Sequence, residues 1–438
     1  MAGSTLRFNP AVQTCPFDGA AREPMVLCEV PRADGSSARF VLPERLVALL
    51  RRFDGQGDSA EVARECAAAG AYSPEAFGRL VSGFLLPRAI LLDEAAPAPA
   101  EPPRAPTRLS SLTLRTRLLP PAVVTPVARS LGWLFARPVF AAGVAVVVIA
   151  HLVFYLVIAP GQELGWQQVR GSHLGLIMLL MGGSVVLHEF GHAAAAAHFG
   201  CRRLEIGWGM YYHMSVLYTD LSEAWRLPRG QRALIDVAGM YFQALFGVAM
   251  LGAYAATGSL VPLYCFIATD LAIASSLNPF FRMDGYWLVS DLLGVPNLHA
   301  QSAALLRRVA LRCFGRPAPA GDAPPIGRGG LAFMVAYSAF GLAFFIFAFN
   351  FAVRRLLVGV VESFPAALAA LGAAVMAHPF SAGGVGSALF AVTWRSLVIF
   401  GTAKFLLNFL SALVGGVASV ARALRAARAS RAPHPAAG

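Results

Sequence analysis

Residues 174–199 read LGLIMLLMGGSVVLHEFGHAAAAAHF. The stretch is long and apolar enough for a transmembrane helix, which needs roughly 20 residues to cross a hydrocarbon core of about 30 Å. Its ionisable residues are gathered rather than scattered, three of the four lying in His188-Glu189-Phe190-Gly191-His192. Residues four apart share a helix face, so both imidazoles can reach one ion. Glu189 lies beside them and can take a proton from a water made acidic by zinc, which brings its pKa to around 7. A charged side chain at mid-membrane costs something like 2.5–3.5 kcal/mol on insertion scales, so the cluster demands a function.

The composition agrees with a membrane setting. Of 438 residues, 57% are hydrophobic and 14% charged, whereas soluble domains carry about 25% charged residues. The net charge of +12 comes almost wholly from arginine. These arginines border apolar runs, where they set orientation and meet anionic lipid head groups, so nucleic acid is not an expected partner. Cys15, Cys28, Cys66, Cys201, Cys265 and Cys313 show no CxxC pairing and no regular spacing, so neither a zinc ribbon nor a disulfide framework is supported. The first residues hold no signal-peptide core, so the N-terminus is expected in the cytoplasm.

By length and apolarity, six spans are expected at about 138–159, 174–199, 233–256, 260–281, 331–353 and 397–420. Arg104, Arg108, Arg115, Arg117, Arg129 and Arg137 precede the first. Arg202, Arg203, Arg226 and Arg229 follow the second, and Arg282, Arg307, Arg308, Arg312 and Arg316 follow the fourth. All fall on the N-terminal side, which the positive-inside rule makes cytoplasmic, in a cell (inner) membrane. Residues 356–377 are also long enough to span but carry Glu362 and Pro365. A seventh span would put the basic tail outside, so this segment is expected to be re-entrant or to lie on the outer face. The fold class is therefore an α-helical polytopic membrane protein with a small soluble N-terminal domain.

Four regions follow: a domain at 1–93, a Pro/Arg-rich linker at 94–137, a membrane domain at 138–420 and a basic cytoplasmic tail at 421–438. In the first, Met25–Val30 and Arg39–Leu42 read as strands around a turn at 33–37. Helices are expected over 43–53 and 59–69, and a third after the N-cap candidate Ser73, with Pro74 in its first turn. Arg88–Leu92 closes as a strand. Hairpin, helices and closing strand suggest a winged-helix-like α+β module. Gln301–Phe314 reads as a basic amphipathic helix, with Leu305, Val309 and Phe314 on the side suited to a membrane surface.

A catalytic zinc usually has three protein ligands. His198 stands at the spacing of HExxHxxGxxH, but Ala195 occupies the place of the helix-breaking glycine. Alanine is the best helix former, so the helix should continue. His198 would then lie about 9 Å along the axis from His192 and on another face. The better third ligand is Asp284, in Asn278-Pro279-Phe280-Phe281-Arg282-Met283-Asp284-Gly285. Pro279 and Gly285 interrupt the chain on the same membrane side as HEFGH, and non-helical backbone is tolerated there when it lines a cavity. Asn278 can bond a substrate backbone. Asp220 reads as a solvated turn residue, Asp270 as a helix-to-helix hydrogen-bonding group, and Gly182, Gly183 and Gly191 as small residues that let helices approach.

HEFGH in one membrane helix and NPFFRMDG closing a later one resemble the site-2 protease family of intramembrane zinc metalloproteases, over roughly residues 174–300. NPFFRMDGYWLVSDLLGVPNL is similar to its peptide zinc metalloprotease branch, found with peptide-maturation and export systems. The resemblance implies that His188, His192 and Asp284 bind Zn2+, that Glu189 is the general base and that Asn278 helps hold the substrate strand. Many relatives have Gly-Pro-x-x-Asn in the next span, where this chain reads Gly239-Met240-Tyr241-Phe242-Gln243. Gln243 is thus a candidate replacement for that asparagine. Residues 25–92 are similar to PqqD-like domains, on Phe40-Val41-Leu42-Pro43 and Asp54-Gly55. That implies strand addition of a leader peptide by a flexibly tethered module, with an ordinary winged helix as the other reading.

The expected activity is hydrolysis of a peptide bond in a peptide precursor or membrane-associated substrate. Two rivals stand beside it. One is regulated intramembrane proteolysis of a signalling protein, which a PDZ-like insertion would favour and none is visible. The other is a non-catalytic membrane accessory that binds peptide precursors.

Overall fold

The computed structural model describes residues 6–20, 23–32, 37–55, 59–69, 73–93, 112–162, 171–212, 214–313, 315, 328–378 and 381–429. The turn expected at 33–37 (apart from Ser37), the first part of the linker (94–111) and Phe314 lie outside these residues, as does the chain after Ala429.

In the N-terminal domain the order is β1 (Leu6–Phe8), β2 (Gln13–Phe17), β3 (Met25–Pro31), β4 (Ser37–Pro43), α1 (Glu44–Leu50), α2 (Ser59–Ala69), α3 (Pro74–Leu80) and β5 (Leu91–Asp93). β2, β3 and β4 form an antiparallel sheet, and β1 pairs with β5. Alternation puts Ala38, Phe40 and Leu42 into the core beneath α1, α2 and α3. Ser73 caps α3 by accepting the Ala76 N–H at 3.2 Å. β1 and β2 are additions to the sequence reading. β1 is three residues long, and β2 is an edge strand containing Pro16, which weakens its strand signature.

The second part begins earlier than expected. β6 (Thr113–Leu119) and α4 (Pro121–Leu131) occupy the C-terminal half of the expected linker. Pro121 sits at the start of α4, where a missing N–H costs nothing, so Pro-rich composition concealed a helix start. Then follow α5 (Arg137–Val153), prolonged by π and 3-10 turns to Gly161, and α6 (Gly171–His198). Next are the hairpin β7 (Ile206–Tyr211) and β8 (Met214–Thr219), α7 (Arg229–Thr257), α8 (Leu260–Ser276), α9 (Asp284–Leu293) and α10 (Leu298–Cys313). The chain closes with α11 (Arg328–Phe351), α12 (Gly359–Met376) and α13 (Ala382–Ala429). The three-stranded sheet runs β6-β7-β8, and β8 is an edge.

Among the described residues five helices are long and apolar enough to cross a membrane: Arg137–Gly161, His173–His198, Arg229–Thr257, Gly329–Met376 and Ala382–Ala418. These are the dimensions of a helical membrane protein. The expected span at 260–281 is corrected to the shorter α8, because Pro279 disfavours helix at the residue before it. Residues 356–377 are not set apart from the preceding apolar helix. They continue from α11 through a π-helical stretch at Ala352–Val358 into α12. At 1.5 Å per residue that helical run measures about 70 Å, more than twice a bilayer core. The last helix likewise starts at Ala382, ahead of the expected 397.

α7 lies centrally, buried along its length from Arg232 to Gly247. The alanine run Ala193–Ala196 of α6 is fully buried and packs with Val124 and Ala128 of α4. Gly191 abuts α7, where an added Cβ would meet the Ala238 carbonyl oxygen at 2.4 Å. Gly182 and Gly183 face open space, so of the three glycines only Gly191 serves close packing. Asp270 of α8 bonds His151 at 3.0 Å and the Tyr155 hydroxyl at 2.6 Å, tying α8 to the helix beginning at α5. In α10 the buried positions are Leu298, Ser302, Leu305 and Leu311, and Val309 is exposed.

Candidate metal centre

His188 and His192 stand one turn apart on α6, and their ring orientation is set by α7. His192 Nδ1 lies 2.7 Å from the Ile235 carbonyl oxygen, and His188 Nδ1 lies 3.0 Å from Gln243 Oε1. A carbonyl can only accept, so each Nδ1 carries a proton, and in the neutral ring each Nε2 presents a lone pair. The two Nε2 atoms are 3.0 Å apart. α7 can come this close because residue 239 is glycine. A Cβ there would meet His192 Nε2 at 2.5 Å and His188 Nε2 at 2.7 Å.

Asp284 reaches the same point from the turn after α8. Asn278 Oδ1 accepts the Phe280 N–H at 2.9 Å, Tyr337 donates to the Pro279 carbonyl at 2.8 Å, and Arg282 N–H donates to the Tyr211 hydroxyl at 3.0 Å. Burial pushes the Tyr211 phenol well above its ordinary range, so at neutral pH it stays a neutral acceptor. The turn closes on Gly285, whose missing side chain leaves room for the Leu277 carbonyl oxygen, 2.1 Å from where a Cβ would stand. Asp284 opens α9 with Oδ2 at 3.0 Å from His188 Nε2 and Oδ1 at 3.5 Å from His192 Nε2.

The three side chains form a group that could hold a metal ion, their ligand atoms within 4.8 Å of one another. A tetrahedral ion with bonds of 2.0–2.1 Å has ligand-to-ligand edges of about 3.3–3.4 Å. The two Nε2 atoms, 3.0 Å apart, lie close to that value, and each Asp284 oxygen stands within 3.5 Å of one of them. Two imidazole lone pairs and a carboxylate pointing at one place repel unless a cation lies between them. The donor set therefore fits a divalent ion, and the Nδ1 bonds to Gln243 and Ile235 are the supporting contacts that such histidines carry.

Glu189, buried like its neighbours, lines the same cavity of about 330 Å3 as His188, His192 and Asp284. Its Oε2 accepts the Thr219 hydroxyl at 2.8 Å, and the same hydroxyl lies 3.0 Å from the Glu189 carbonyl oxygen. Thr219 ends β8, whose residues from Ser215 onward form one wall of the cavity.

The structure thus brings together His188, Glu189, His192 and Asp284. Asn278 stands in the adjoining turn with its side-chain oxygen engaged by Phe280, and it is not among the residues that line the cavity. His198 ends α6, exposed, with its ring against Phe199. Asp220 caps the turn after β8 by accepting the Ser222 N–H at 2.9 Å. Thr219 was passed over in the sequence, since a lone threonine one residue before an aspartate gives no signal until β8 is folded against α6. The Ile235 contact uses backbone and has no side-chain signature at all. Comparison with family models, with curated proteins and with solved structures found no match to this chain.

Proposed function

We propose that this chain is a membrane-embedded zinc metalloprotease of the site-2 protease kind, cleaving a peptide bond in a peptide precursor or membrane-associated substrate during peptide maturation or export. The observation that carries the reading is the convergence of His188, His192 and Asp284 in one cavity with a carboxylate, Glu189, that is not needed as a ligand. His188, His192 and Asp284 would hold the ion. Bound Zn2+ supplies Lewis-acid polarisation of a carbonyl and acidifies water.

The rest is the work of the chain. The Nδ1 bonds keep both imidazoles in the ligating tautomer. Glu189 takes a proton from water as the water oxygen bonds to the scissile carbonyl carbon. It returns that proton to the amide nitrogen as the C–N bond breaks, leaving a carboxylate and an amine. Thr219 holds the carboxylate of Glu189 in place. The substrate must enter extended, because a helix keeps its carbonyls in internal hydrogen bonds. Arginine placement supports a site near the cytoplasmic face, with the N-terminal domain on that side.

The test is processing of a candidate precursor by full-length Glu189→Gln protein in membranes. The expected outcome is a loss of about 10²–10⁴-fold in rate with the metal retained. Unchanged processing would remove the base from the reading.

A further inference from the structure

The segment after β2 touches two helices of the metal centre at once. Asp18 Oδ2 accepts the backbone N–H of Arg229, the first residue of α7, at 2.9 Å. The Asp18 carbonyl oxygen accepts from Arg232 Nη2 at 3.0 Å. Ala20 N–H donates to the carbonyl of Gly294, which caps the C-terminus of α9, at 3.0 Å. Gly294 has a left-handed φ of 61°, and a Cβ there would meet the Ala20 nitrogen at 2.6 Å, so the two chains are in direct backbone contact.

Arg232 joins these pieces. It is 2% exposed. Its Nε bonds Asp291 Oδ1 of α9 at 2.7 Å, its Nη1 bonds the Leu227 carbonyl at 2.7 Å, and its guanidinium stands 4.9 Å from the Phe17 ring centre. Beyond it, Glu29 of β3 pairs with both Arg39 of β4 and Arg226 ahead of α7. The domain is thus docked on the membrane part.

Both helices held here bear on the metal centre: α9 carries Asp284, and α7 orients the two histidines of α6. Ile235, which fixes His192, lies one turn beyond Arg232 on α7. Asp284 is the other end of α9, a ten-residue rod of about 15 Å. We propose that residues 17–20 fix α9 against α7 through Arg232, so that the N-terminal domain is a positioning element for Asp284 and Arg232 is a positioning residue. This rests on the metal reading of His188, His192 and Asp284. Whatever pulls the domain away lets the C-terminal end of α9 shift and loosens the third ligand. By linkage, metal binding in turn strengthens docking.

The test uses full-length protein loaded with Co2+, whose visible absorption reports the ligand set. Hydrogen exchange of residues 17–20 reports docking. A series comprises Asp18→Arg, Arg226→Glu, the two combined, Ala20→Pro, Arg232→Met and the conservative Arg232→Lys. Cobalt affinity is expected to fall tenfold or more, with an altered spectrum, in step with loss of protection, and Arg232→Lys is expected to recover part of both. The substitutions at 18 and 226 alter half-exposed side chains and so remain informative if Arg232→Met does not fold. Wild-type cobalt affinity in a variant whose residues 17–20 exchange freely overturns the proposal, and so does full protection throughout the series. Failure of the wild-type chain to bind cobalt instead sinks the metal reading itself.

Discussion

Thr219 donates a hydrogen bond to the Glu189 carboxylate, which in the proposed mechanism must stay aimed at a water, and the value of that bond can be measured. Hydrogen bonds to charged groups contribute roughly 1.5–3 kcal/mol, so Thr219→Val is expected to lower turnover by about ten- to hundredfold. Metal content should not change, and Thr219→Ser, which keeps the hydroxyl, should restore most activity; equal rates for Val and Ser would contradict the role. Gln243 acts on the other side of the centre. Gln243→Leu leaves His188 Nδ1 without its acceptor and should weaken metal affinity about 10–100-fold, read by chelator competition. At this scale HEFGH and Asp284 were legible in the sequence, because spacing of four on a helix and a Pro/Gly-broken turn are local properties. Thr219 and the Ile235 carbonyl were not, since their roles arise only when β8 and α7 fold against α6.

At the scale of elements, the fit of α6 against α7 depends on Gly239. Gly239→Ala would place a methyl 2.5 Å from His192 Nε2, so the purified variant is expected to lose stoichiometric metal while α6 and α7 remain helical by circular dichroism. Far from the cavity, Asp270 joins α8 to His151 and Tyr155. Interhelical hydrogen bonds in membranes contribute about 0.6–1.7 kcal/mol, so Asp270→Ala should lower thermal stability in detergent by that order. Its metal content is expected to match wild type; loss of metal would mean that this contact also shapes the centre. The apolar helices were readable from length and composition. Their ends were less so. The pair Arg354-Arg355 closes the apolar run beyond Phe351, yet the helix continues through it and on through Glu362 and Pro365, which suggested a break. β6 and α4 were hidden by prolines that belong at a helix start.

At the scale of the molecule, two parts that read as tethered in the sequence are docked in the fold. Strand alternation and the Ser73 cap foretold the N-terminal domain's hairpin and helices, but the contacts of Asp18, Glu29 and Arg232 cross some two hundred residues of chain and have no local signature. Glu29 also gives the interface a pH dependence. Burial opposes its charge, and the bonds from Arg226 and Arg39 outweigh that, holding its carboxyl below the ordinary 4.5. Because the folded-state value is depressed, the stabilisation is complete above the ordinary value and is lost as pH falls through the folded one. Exchange protection of residues 17–20 should therefore be level from neutral pH to about 5 and fall in stronger acid, less steeply in Glu29→Gln. A fall already between pH 7 and 6 would assign the dependence to another group. The central claim is that two imidazoles and one distant carboxylate share a single ion. It is tested most directly by the metal content and zinc X-ray absorption of purified full-length protein, with Asp284→Ala and Glu189→Gln beside the wild type. The expected result is one zinc per chain in a shell of nitrogen and oxygen donors, kept by Glu189→Gln and lost by Asp284→Ala; a wild type that stays metal-free when zinc is supplied, or Asp284→Ala with an unchanged shell, would contradict the account.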